Sequence, residues 1–275
     1  MNVNMKKRLA KIKCFLFDMD GTICLGDRPL PGAAETLAAL KAAGLKYCFL
    51  TNNSSRSPVY YRNKLRKMGI ETKSADIIIS SHALVDYLSG QPGRRLFVLG
   101  VAALKNLLRR EGHTVVEEAG RAVDYVVVGF DTGLNYKKLA TACQYVDGGA
   151  PYIATHPDVR CPLEGGKYIP DCGSLLALIK AATGQDCLAT AGKPSGYMIA
   201  AALRRTGFKP EELSVVGDRL YTDIALGRAA GIFSILLLSG ETGAEDLENS
   251  AWQPDLVLNG IGDMLELLQA PASRG

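Results

Sequence analysis

Among the seven cysteines of this 275-residue chain there is no C-x-x-C pair. Their number is odd and several stand inside apolar runs, so neither a disulfide framework nor a zinc site is expected. Buried free thiols in a reducing cytoplasm fit the pattern. Apolar runs long enough to span a bilayer are missing too: the longest centres on Ile235–Leu238, far short of what a membrane helix needs. The basic leader followed by Cys14-Phe-Leu-Phe17 has the outline of a secretory signal, but Asp18 cuts the apolar stretch short, and a cytoplasmic location is expected. A charge excess is also lacking. The net charge is only +4, and from Ala83 to Leu188 11 basic residues balance 11 acidic ones. Part of the remaining excess is Lys6, Lys7, Arg8, Lys11 and Lys13, which read as a solvated face. No nucleic-acid polymer and no membrane is expected as partner.

What is present is a pattern. Hydrophobic residues make up 47% and charged residues 22% of the chain, the balance of a folded globular protein. Short apolar runs alternate with amphipathic stretches from end to end, which predicts an α/β protein with a parallel sheet and helical crossovers. Strands are expected at Cys14–Phe17, Lys46–Leu50, Asp76–Ile79, Leu213–Val216, Phe233–Leu238 and Asp255–Leu258. Helices are expected near Ala33–Ala43, which Gly44 would cap, and near Pro58–Met68, Gly196–Thr206 and Thr222–Ala230. The middle of the chain carries its own strand-like runs, LFVLG, TVVEE, DYVVVGF and PYIAT. With no internal repeat and no low-complexity linker, the reading is one core domain, residues 1–82 plus 189–275, interrupted by an inserted α/β domain, residues 83–188.

Four polar clusters fall at strand ends or loops of that core. In FDMDGT, Asp18 and Asp20 stand two apart after an apolar strand, and in extended backbone such residues share a face. Two anions on one face call for a shared proton or a cation; the alternative is an ordinary Asp-Gly turn. Thr51 and Asn52 end the second strand, where they could also cap the next helix. Lys193 lies in AGKPS and could be a solvated loop lysine. Asp218 and Asp223 lie in GDRLYTD, where Asp223 also suits a helix start. Carboxylates, a lysine and a hydroxyl gathered at the carboxyl ends of parallel strands suit a divalent cation beside a phosphoryl group, and an oxygen-only donor set suits Mg²⁺.

Those four clusters, DMDGT, TNN, the lysine of GKPS and GDRLYTD, occur in the order found in haloacid dehalogenase superfamily phosphatases, which the sequence resembles. The tracts LPGAAETLAAL, ATHPD, PDCGSLLALI, GKPSGYM, GDRLYTDIALGRAAGI and LLLSGET extend the resemblance over nearly the whole chain, to the subgroup of NagD-type and p-nitrophenyl phosphatases. The resemblance implies a Rossmann-like core with a large α/β cap. It implies Asp18 as nucleophile forming an aspartyl-phosphate, and Asp20 as acid and base and as a main-chain metal ligand. Thr51, Asn52 and Lys193 would hold the phosphate, and Asp218 and Asp223 would hold Mg²⁺ with Asp18. Substrate would be a small phosphorylated metabolite, and two copies could pair through the cap. Thr155, His156, Asp158 and Asp171 are the expected specificity residues. In ATHPD the family more often has Asn where His156 stands, which leaves the role of that histidine open. A phosphomutase, or a receiver-like module that accepts phosphate without turnover, would use similar residues. The second carboxylate and the large insert speak against the receiver-like module, and phosphate release as opposed to phosphoryl migration separates a hydrolase from a phosphomutase.

Overall fold

The computed structural model describes residues 3–269, so residues 1–2 and 270–275 of the expected core domain lie outside the described residues. The chain forms two compact units. The first holds the chain up to Thr51, Pro58–Ile78 and the chain from Ala202 onward; the second holds Asn52–Ser57 and Ile79–Ala201. These limits are not the cut expected from sequence. Residues 189–201 go with the second unit because Ala189–Thr190 adds a strand to its sheet. Asn52–Ser57 joins it through hydrogen bonds to Phe130, Thr155 and Asp158.

In the first unit, a six-stranded sheet runs in the order Leu256–Leu258, Phe233–Leu237, Leu213–Gly217, Cys14–Phe17, Lys46–Thr51 and Ile77–Ile79. The strands Cys14–Phe17, Leu213–Gly217 and Phe233–Leu237 are buried at every residue, which is why they read as continuous apolar runs rather than alternating ones. In chain order the sheet reads 6-5-4-1-2-3, a doubly wound arrangement whose direction reverses between Cys14–Phe17 and Leu213–Gly217. Open α/β sheets bind ligands at that reversal, beyond the carboxyl ends of the strands. The register there is parallel and level: Phe17 stands opposite Val216 on one side and Phe49 on the other. Asp18, Asp218 and Thr51 therefore emerge at the same end of the sheet.

The helix Ala33–Ala42 ends as expected at Gly44, whose φ of 74° lets Leu45 N–H reach back to Leu40. Other elements depart from expectation. Ser80–Leu88 is a helix that the apolar run before it concealed. The stretch expected as a helix from Thr222 instead opens with a π-helical turn, Leu220–Ile224, before the α-helix Ala225–Ala229. Its cause is local: the Arg219 carbonyl accepts from both Asp223 and Ile224 N–H groups, and π turns recur at functional sites.

The second unit has a five-stranded sheet in the order Ala189–Thr190, Tyr152–Ala154, Tyr125–Val128, Arg95–Leu99 and Thr114–Val116, with every pairing parallel. Its core packs Val126, Val128, Ala142, Tyr152 and Ile179 between that sheet and the helices Tyr136–Asp147 and Cys172–Thr183. A short antiparallel hairpin, Arg160–Pro162 with Tyr168–Pro170, was not foreseen, since three-residue strands carry too little periodicity to read. All seven cysteines are free, although Cys143, Cys161 and Cys187 are only half-buried. Among the described residues no helix is long and apolar enough to cross a membrane.

Candidate active site

In the first unit the carboxylates of Asp18, Asp218 and Asp223 come together, with one oxygen of each within 4.8 Å of the others. Asp18 leaves the end of its strand with its N–H bonded to Val216 (2.8 Å). Asp218 directly follows the neighbouring strand and is held from two sides: Thr22 Oγ1 donates to Oδ1 (3.4 Å) and Glu241 N–H to Oδ2 (2.7 Å). Asp223 is turned back by the π-helical turn, where its Oδ2 accepts from Arg219 N–H (3.3 Å) and Thr222 Oγ1 (3.4 Å). The packing around Asp218 leaves no room for a side chain at Gly21. Its φ is 93°, and a Cβ there would land on the Asp218 carboxylate, so the glycine of DMDGT is required twice over.

This concentration of charge has an electrostatic signature. Burial, then the negative charges of Asp18 and Asp223, push the Asp218 carboxyl up from 3.8 to about 8. Three buried carboxylates with oxygen donors only are a poor structure by themselves and a good seat for a hard divalent cation.

Asp20 is not part of that trio. The strand ends at Phe17, so the extended geometry that would have put Asp18 and Asp20 on one face does not continue. The Asp20 carboxylate instead lies 3.6 Å from Lys64 Nζ. Burial raises its pKa, with the Asp18 charge adding to the rise and Lys64 opposing it. Lys64, on the helix Pro58–Lys67, is a site neighbour that sequence reading missed. A lysine amid Arg62, Arg66 and Lys67 gives no sign of which one turns inward.

Thr51 is buried at the end of its strand in the first unit, whereas Asn52 and Lys193 belong to the second. There, Asn52 Nδ2 donates to Asp158 Oδ1 (3.0 Å) and to the Lys193 carbonyl (3.1 Å), and Asn52 Oδ1 accepts from Lys193 N–H (2.8 Å). The four expected specificity residues join the same buried network. Thr155 Oγ1 donates to Ser54 Oγ (3.0 Å) and lies 2.9 Å from His156 Nδ1. His156 Nε2 lies 2.8 Å from Asp171 Oδ1, which also caps the helix Cys172–Thr183 through Cys172 N–H. Ser54, which ties Thr155 to the Phe130 N–H (2.9 Å), was not expected. Its only sequence signal is proximity to the TNN motif.

Comparison with known proteins bears on both units. Residues 15–114 match the family model of haloacid dehalogenase-like hydrolases, and residues 190–264 match a second, HAD-hydrolase-like model. An acid sugar phosphatase of Staphylococcus aureus is 32% identical over 262 residues, covering 95% of this chain and all of that one. A 4-nitrophenylphosphatase from Thermotoga maritima is 41% identical with a TM-score of 0.89, covering 95% of this chain and 99% of its own. A glycerol phosphate phosphatase from Mycobacterium tuberculosis, solved in complex with magnesium, is 32% identical with a TM-score of 0.84, covering 92% of this chain and 76% of its own. Since likeness of this extent reaches both units and the aspartates fall where the doubly wound sheet reverses, the chain belongs to the haloacid dehalogenase-like hydrolases and is a phosphatase of their NagD-like branch.

Proposed function

We propose that this phosphatase hydrolyses phosphomonoesters of small metabolites, of the sugar phosphate class, through a phosphoaspartate on Asp18 and with Mg²⁺ as cofactor. The observation that carries the reading is the division of labour among the carboxylates at the sheet reversal. Asp18, Asp218 and Asp223 form an oxygen-only trio, while Asp20 stands apart with burial favouring its protonated form. The names of the relatives supply the substrate class, and p-nitrophenyl phosphate is the artificial substrate they suggest.

Asp18, Asp218 and Asp223 would hold the cation, with the Asp20 carbonyl as a further donor, and the cation would neutralise the phosphoryl oxygens. An Asp18 oxygen attacks phosphorus while the bond to the leaving oxygen breaks, and Asp20 gives that oxygen its proton. Asp20, now ionised, takes a proton from water. The resulting hydroxide displaces Asp18 from phosphorus, which restores both carboxyl groups and releases phosphate. By the resemblance, Thr51 and Lys193 are the residues assigned to the transferring oxygens, and Asn52 follows Thr51 in its motif. Substrate selection is assigned to the inserted unit. There Thr155, His156 and Asp171, bonded to one another, keep the selecting segment in shape.

The test is steady-state release of phosphate from p-nitrophenyl phosphate and a panel of sugar phosphates, for the natural chain and Asp18→Asn. The amide fills the same volume but cannot form the acyl phosphate, so turnover should fall by at least about 10³-fold with the fold intact. A clean preparation of Asp18→Asn that keeps a tenth of the activity would remove Asp18 as nucleophile.

A further inference from the structure

We infer that Asp158 is a positioning residue for Lys193, acting through the side chain of Asn52 rather than by touching substrate. The inference rests on the reading of Lys193 as a phosphate-holding lysine, and every contact it uses lies within the second unit. A carboxamide has two N–H donors and one carbonyl oxygen. Asn52 spends both donors on protein acceptors, Asp158 Oδ1 and the Lys193 carbonyl, and its oxygen receives the Lys193 N–H. The side chain thus grips the backbone of one residue at both its donor and its acceptor, fixing the two peptide planes from which the Lys193 side chain departs.

Such a grip works in one orientation of the amide only. Turned over, Asn52 would set its NH₂ against the Lys193 N–H and its oxygen against two acceptors. The Asp158 oxygen accepts from the Asn52 NH₂, so it holds that NH₂ toward itself and supports the orientation that reads the Lys193 backbone. The three residues are 4%, 6% and 2% exposed respectively for Asn52, Asp158 and Lys193. In that surrounding a well-made hydrogen bond is strong and a mismatched one costly. The loop is pressed onto the clamp from its other side. Gly192 N–H donates to the Thr155 carbonyl (2.7 Å), and a Cβ on Gly192 would come within 2.9 Å of His156 Cβ and onto Asn52 Oδ1. Only glycine allows so close an approach. The segment Thr155–Asp158 therefore braces the lysine loop at two points, by its Thr155 carbonyl and by its Asp158 carboxylate.

The experiment is a double-mutant cycle in the full chain with Mg²⁺ present, reading kcat/KM on p-nitrophenyl phosphate and on several sugar phosphates. D158A should lower kcat/KM by about 10- to 100-fold, the scale set by displacing a positioned group by an ångström or so. Every ester should lose the same factor, because Lys193 acts on the transferring group they share. D158N, whose amide oxygen accepts the same bond, should recover to within about threefold. In the K193A background D158A should cost nothing more, since residues acting as a unit are not additive. Should D158A not fold, D158S, which leaves a hydroxyl in the gap, is carried through the same cycle. A changed ranking of esters would make Asp158 a substrate contact and overturn the inference, as would a loss that adds fully to that of K193A. An inactive K193A beside a fully active D158A sinks this inference alone; a fully active K193A sinks the reading of Lys193 on which it rests.

Discussion

Replacing Asp218 by Asn should stabilise the protein when no divalent cation is present and remove its response to that cation. The folded chain raises the Asp218 carboxyl from 3.8 to about 8. The folded state therefore binds this proton more tightly than the unfolded state does. Its contribution to stability is fully present below about pH 4 and is lost progressively as pH rises to about 8. At ~1.4 kcal/mol per unit the ceiling is roughly 5–6 kcal/mol at pH 8. Because the charges of Asp18 and Asp223 remain beside the substituted position, on the order of 2–4 kcal/mol is the expected share released by one neutral substitution. Asn keeps an oxygen for the Glu241 N–H, and its NH₂ donates to the Thr22 hydroxyl, which turns from donor to acceptor, so both contacts of Asp218 are kept. For a chain of this size that is a rise of about 5–15 °C in Tm. The assay is thermal unfolding in chelator from pH 5 to 8, for both proteins, repeated with Mg²⁺. The natural chain should lose stability as pH rises and regain it with Mg²⁺, most at pH 8, while Asp218→Asn should be flatter and unresponsive. A chelated natural chain with the same Tm at pH 5 and pH 8, matching Asp218→Asn throughout, would refute the claim that this trio is strained by its own charge.

Activity should vanish on exhaustive chelation and return with Mg²⁺ but not with Zn²⁺, which prefers nitrogen and sulfur donors; full turnover after chelation and desalting would exclude a metal requirement. Lys64→Met should move the alkaline limb of the pH profile of kcat/KM upward, because the ammonium now holds the Asp20 pKa down against burial, and a limb that stays put or moves down would dissociate Lys64 from the acid. Gly21→Ala should cost roughly 2–4 kcal/mol of stability in urea unfolding, through the strained φ of 93° and the collision with Asp218, and a loss under about 0.5 kcal/mol would show that the turn can relax.

How legible the site was depended on what kind of geometry each residue needed. Asp18, Thr51 and Asp218 follow buried apolar runs directly, so strand ends in the sequence are strand ends in space, and the sheet order then makes them neighbours. Asp223 was legible as part of GDRLYTD, but not the π-helical turn that aims it, because one shared carbonyl acceptor at Arg219 leaves no periodic trace. The pairing of Asp20 with Lys64 was not legible either. It follows from the strand stopping at Phe17 and from which of several basic residues on one helix turns inward. In the second unit, His156 and Asp171 were readable as loop and cap residues separately. Their bond joins residues 15 apart, across a hairpin too short to foresee.

The TNN motif shows most clearly why a motif can be recognised while its mechanics stay hidden. Thr51 is the last residue of a core strand and Asn52 is the first of a segment that belongs to the second unit. One peptide bond separates them. Their Cα atoms are therefore ~3.8 Å apart whatever else the chain does, although the two residues belong to different units. Thr51 ends a strand of the sheet that carries the aspartates. The carboxamide of Asn52 is committed to Lys193 and Asp158, 141 and 106 residues further along. A motif of this kind is a junction as well as a ligand: its first residue ends a strand of the core, and its second grips the backbone of a distant lysine within the second unit. Residue type alone cannot distinguish an asparagine that touches phosphate from one that aims a lysine. The distinction lies in whether its N–H groups are already spent, and here both are.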